Sequence, residues 1–85
     1  MTSFDKLANF DINRIKLLTD YSYDDALIGI TEDNRAIYDY DKMVRWVVEE
    51  EGFKETDAEE WINYNTIRAL DYSGSDSPIV MHALA

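Results

Sequence analysis

The chain has 85 residues, in which eighteen Asp and Glu face eight Lys and Arg for a net charge of −10. That length supports one core, so residues 1–85 are expected to form a single small domain. The charge disfavours direct contact with nucleic acid or an anionic membrane, both of which need a cationic surface, and favours a basic protein surface or cations. A hydrophobic content of 46% excludes wholesale disorder. There is no cysteine, and hence no disulfide or thiolate chemistry. No run is apolar enough for a signal peptide or a membrane span. The charge is uneven: residues 1–19 carry a net +1 and the remainder a net −11.

In chain order, Phe4, Leu7, Ala8, Ile12, Ile15 and Leu18 share one side of a helical wheel, which predicts a helix to about Thr19, with a break near Asn9–Asp11. Asp20-Tyr21-Ser22-Tyr23-Asp24-Asp25 is a connector; its paired aspartates lack the alternating ligands and glycine of a calcium loop. Ala26–Thr31 and Ala36–Tyr40 are β-branched or aromatic runs around the turn chemistry of Glu32–Arg35, which predicts a hairpin. Period two places Ala36, Tyr38 and Tyr40 on one face and Ile37 and Asp39 on the other.

A helical pair follows. Asp41 is the expected N-cap of the first helix. Met43, Val44, Val47 and Val48 form its apolar stripe, and Gly52 its left-handed stop. Thr56-Asp57-Ala58-Glu59 fits a capping box and predicts a second helix from Asp57 to about Leu70. Ala58, Ile62 and Ala69 share a face there, with Asn65 among them. Trp46 falls among Lys42, Arg45, Glu49 and Glu50. It either packs on the second helix or the N-terminal segment, as large aromatics usually do, or stands as an exposed anchor in a charged rim. After a loop over Asp71–Ser77, Pro78 opens a final strand, Ile79–Leu84. The expected fold is therefore α+β in the order α-β-β-α-α-β: an N-terminal helix, a β-hairpin, a helical hairpin and a last strand. It has a small antiparallel sheet with helices on one face.

Catalytic chemistry is not legible. His82 is the single imidazole, no serine sits in a nucleophile motif, and nothing singles out a pair of carboxylates among so many. The chain reads as a non-enzyme with no cofactor. A metal site would need His82 joined by Asp39 or Asp41, and spacing does not locate one. Five of the six tyrosines, Tyr21, Tyr23, Tyr38, Tyr40 and Tyr72, adjoin an aspartate. Such residues suit binding surfaces, although Tyr38 and Tyr40 are better read as core residues.

The segments RAIYDYDKM, EEEGF, EEWINYNTIRAL and SPIV, within Asn34–Val80, resemble a family of small acidic proteins carried by phages and prophages of Gram-positive bacteria. The resemblance spans a little over half of the chain. The family pattern has proline-tyrosine where this chain has Asp71-Tyr72, and the N-terminal segment has no counterpart. Most such proteins have no assigned role, but small acidic phage proteins include anti-CRISPR inhibitors, some of which mimic DNA. The resemblance implies a genomic setting more than an activity; together with the acidic charge it leads to the expectation of a protein of the host bacterial cytoplasm that inhibits a CRISPR-associated nuclease, whose channels for nucleic acid are positively charged. The residues expected to meet that basic surface are Asp39, Asp41, Trp46, Glu49, Glu50, Glu51, Asp57, Glu59 and Glu60. Two alternatives are a phage accessory protein self-associating through Trp46 and tyrosines, and a small metal-binding domain.

Overall fold

A computed structural model describes residues 2–70, 72 and 74–84. The order is α1 (Ser3–Lys6), β1 (Leu27–Ile30), β2 (Ala36–Asp39), α2 (Tyr40–Glu51), α3 (Glu55–Trp61, prolonged through residues 62–70) and β3 (Ile79–Met81). This is the α+β order expected from the sequence. One feature of the sheet differs. β1 and β2 pair antiparallel, but β3 lies parallel to β2, Tyr38 opposite Val80. The sheet is mixed because the helical pair acts as the crossover between β2 and β3, and a crossover returns the chain in parallel. β3 also stops at Met81, short of Leu84. Of the loop expected over Asp71–Ser77, Asp71 and Ser73 lie outside the described residues.

The N-terminal helix is far shorter than its apolar periodicity suggests. Thr2 and Asp5 form a reciprocal capping box, yet α1 ends at Lys6. Asp11 then accepts the amide of Asn13 and opens a 3₁₀ turn at Ile12–Arg14. Its carboxylate serves a cap rather than a helix interior, where Asp competes poorly. Leu7 and Ile15 are still buried, and Ile12, Leu17 and Leu18 pack against the core. Of the predicted stripe, Phe4 and Ala8 are exposed, and Leu7, Ile12, Ile15 and Leu18 reach the interior as an irregular wrap. The Leu18 amide donates to the Tyr38 hydroxyl at 3.3 Å, which pins that wrap to the central strand.

The core lies between Leu27, Ala36 and Tyr38 of the sheet and Met43, Val44, Val47, Ala58 and Ile62 of the helices. Both sheet edges are guarded. On β1 the register shifts between Leu27 and Gly29, and the Lys6 ammonium donates to the Leu27 carbonyl at 2.9 Å. β3 is three residues long and follows Pro78. A bulge, a capping lysine and a short proline-led strand each discourage pairing with another chain.

Two helix starts differ from expectation. Asp39, not Asp41, caps α2: its carboxylate accepts the amides of Asp41 at 3.0 Å and Lys42 at 3.3 Å. Tyr40 begins the helix instead of ending the strand. α3 begins at Glu55, with Lys54 as its N-cap and no side-chain cap bond, so Thr56 makes no capping box. Glu55 and Asp57 in the first turn favour the start through the helix dipole instead. Gly52 ends α2 as expected, at φ 75°, its amide donating to the Val48 carbonyl at 3.2 Å.

Residues 62–67 form a π-helical stretch inside an unbroken helix. The wider turn changes which residues face inward. Ala58, Ile62 and Thr66 are buried at a spacing of four, while Asn65 and Ala69 are exposed. Asn65 bonds its own helix, its amide nitrogen donating to the Trp61 carbonyl at 3.0 Å. The buried Thr66 hydroxyl donates to Asp20 at 3.2 Å. With that single proton committed, the Tyr23 hydroxyl, 3.4 Å away, is the donor to Thr66.

Candidate functional site

The helical hairpin concentrates the charge. Residues 39–60 hold nine acids and three bases. Asp41, Glu49, Glu50, Glu51, Glu55, Asp57 and Glu60 are exposed and Glu59 is half-buried. Among the described residues, ion pairs join Arg14 to Asp11 at 3.4 Å and Lys16 to Asp76 at 2.9 Å, and none reaches a hairpin carboxylate. Lys6, the remaining N-terminal cation, is spent on the carbonyls of Asp24 and Leu27. With Lys42, Arg45 and Lys54 offsetting only part of the nine acids, the hairpin keeps a net negative field, screened further by solvent and salt.

The structure sorts the nine expected partner residues. Asp41, Glu49 and Glu59 come together. They line a groove between α2 and α3 with Val44, Val48, Arg45 and Glu55. On α2 the lining residues recur at 41, 44, 45, 48 and 49, one face of a helix. Glu55 was outside the expected set because the second helix was expected to begin at Asp57. As the first residue of α3 it lies one turn before Glu59, on the same side.

Glu50, Asp57 and Glu60 are exposed but lie outside that groove. Glu51 neighbours Tyr21: burial first, and then the Glu51 carboxylate, push the Tyr21 hydroxyl up. Asp39 is a correction. It is 8% exposed and its carboxylate is committed to the cap, so it is not a partner contact. Trp46 is a second correction. It packs on the connector, 5.3 Å from Tyr21 and 5.4 Å from Tyr23 between ring centroids. Tyr21 in turn lies 4.6 Å from Trp61. Trp46 is half-buried, and its open side borders a second hollow with Asp25, Lys42, Arg45 and Glu49.

The tyrosines do not make one binding surface. Tyr23 and Tyr38 are buried, and Tyr40 bonds Asn63 at 3.2 Å and packs 4.7 Å from the His82 ring. Burial pushes the Tyr23 hydroxyl up to about 12. Among the described residues there is no group of three or more His, Asp or Glu able to hold a metal ion, so His82 with Asp39 or Asp41 makes no such site. Nor, among the described residues, is any helix long and apolar enough to cross a membrane.

Compared with protein families, with curated proteins and with solved structures, the chain matches none of them.

Proposed function

We propose that this chain is an acidic, non-catalytic interaction protein that inhibits a host defence nuclease, in the manner of an anti-CRISPR protein, by occupying its basic surface in place of nucleic acid. The observation that carries this reading is the hairpin: eight accessible carboxylates on two packed helices, with no ion pair to any of them among the described residues. A nuclease channel binds phosphates through Lys and Arg with little base readout. A stiff carboxylate surface competes for the same cations without needing any particular sequence of its own. The resemblance of Asn34–Val80 to small phage proteins adds the setting, the cytoplasm of a bacterial host.

The test is cleavage of target DNA by a guide-loaded CRISPR-associated nuclease with excess protein, at low and at raised salt. Inhibition that fades with salt supports the reading; cleavage untouched at every salt removes it. Charge reversal of Glu49, Glu50 and Glu51 to Lys should weaken inhibition while the thermal melt is retained. Self-association through Trp46 and the tyrosines is less well supported, because Trp46, Tyr21 and Tyr23 face one another and both sheet edges are guarded.

A further inference from the structure

The groove between α2 and α3 has a feature that a plain polyanion mimic does not need. Its floor is aliphatic. Val44 and Val48 lie one turn apart at the bottom, with Asp41 and Glu49 on one wall and Glu55 and Glu59 on the other. Val44 is 7% exposed, and Val48 is half-buried with its open side in the groove. Among the described residues Arg45 is the only base on the lining, so the rim is strongly negative around an apolar strip. From Asp41 to Glu49 the groove runs about 12 Å along α2, two turns of helix.

We propose that this groove receives a basic amphipathic segment of the partner protein, an aliphatic side chain seated on Val44 and Val48 and flanking Lys or Arg paired with Asp41, Glu49, Glu55 and Glu59. The inference deepens the proposed function and rests on its partner being a basic protein. Charge complementarity selects the occupant. A second copy of this chain, at −10, would set carboxylates against carboxylates. A purely cationic chain would satisfy the rim and leave the valines wet. A segment with both kinds of side chain uses the whole groove, as amphipathic helices do in apolar grooves of other receptors. Binding then has two separable parts: a salt-sensitive part from the rim and a salt-insensitive part from the floor.

The experiment uses the whole chain, isotope-labelled for NMR, and three probes: a short amphipathic Leu/Lys peptide, an oligolysine of equal charge, and spermine. The Leu/Lys peptide should shift the Val44 and Val48 methyls and bind about tenfold tighter than oligolysine at about 0.15 M salt. Val48→Ser should remove most of that advantage without changing the slope of affinity against salt. Glu55→Gln with Glu59→Gln should flatten the slope. Equal affinity for the two peptides, tighter binding of spermine, shifts centred on Glu50, Asp57 and Glu60, or groove shifts that depend only on protein concentration each overturn the proposal. The nuclease reading fails separately: peptide docking in the groove with unimpeded cleavage rejects the inhibitor and retains the groove. Inhibition undiminished by Val48→Ser does the reverse.

Discussion

The Asp39 carboxylate accepts the Asp41 amide at 3.0 Å, so two aspartates one residue apart take opposite roles. Asp39 is buried and holds the start of α2; Asp41 stands at the mouth of the groove between the helices. Asp39→Ala should therefore cost about 0.5–2 kcal/mol of stability, the range for loss of an N-cap. Asp41→Asn should change stability by less than about 0.5 kcal/mol, as surface substitutions usually do, and weaken partner binding. Thermal melts and binding of both variants check the division.

Alkaline unfolding should follow Tyr23. Its hydroxyl is buried, donates to Thr66, and has its pKa pushed up to about 12 from an ordinary value of 10.0. A raised folded pKa means that the stabilisation is fully present below the unfolded value near 10 and is lost as pH rises through the folded value near 12. Circular dichroism between those limits should show a transition that Tyr23→Phe flattens. The same variant should cost about 1 kcal/mol at neutral pH, one buried hydrogen bond. An alkaline limb unchanged by Tyr23→Phe would assign that loss to other groups.

At the acid end, the seat of α1 should loosen first. Burial opposes the Asp24 carboxylate, but the hydroxyl and amide of Ser3, each at 2.8 Å, outweigh it and hold the pKa below the usual range. A depressed folded pKa gives stability that is present above the unfolded value near 4 and lost as pH falls through the folded value. Amide exchange at Ser3 should accelerate below that pH, before the core opens. Asp24→Ala should give the same fast exchange at neutral pH.

Gly52 provides a purely conformational test. It sits at φ 75° with open space where a Cβ would go, so Gly52→Ala meets no clash. The substitution should still cost about 1 kcal/mol, because an L side chain disfavours the left-handed region. The measurement is a denaturant midpoint.

Much of the fold was legible because it follows from periodicity. The hairpin, the valine stripe of α2, its glycine stop and the six-element order all follow from spacing and turn chemistry. Three features escaped for physical reasons. Neighbouring Asp39 and Asp41 offer the same cap chemistry, and only the end of β2 decides between them. Thr66 is buried because the π stretch widens the spacing to four, whereas a regular helix places Asn65 and Ala69 inward. Leu7, Ile12, Ile15 and Leu18 of the N-terminal stripe do reach the core, but Asp11 and the bond from Leu18 to Tyr38 turn the segment into a wrap that leaves Phe4 and Ala8 exposed.

The candidate site was legible in its sign and only partly in its membership. Composition places the acids on the hairpin; three-dimensional packing decides which of them converge. Glu55 depends on where α3 starts, which Thr56 misrepresents. Trp46 depends on the connector folding back, which no local pattern announces.

In the proposed function the hairpin's surplus charge stands in for a polyanion. Its most direct test is the salt dependence of affinity for the guide-loaded nuclease, measured for the natural chain and for a variant carrying Asp41→Asn, Glu49→Gln, Glu55→Gln and Glu59→Gln. The natural chain should weaken steeply with salt and compete with target DNA, and the variant should show a shallow slope. Affinities that coincide at every salt concentration would contradict it.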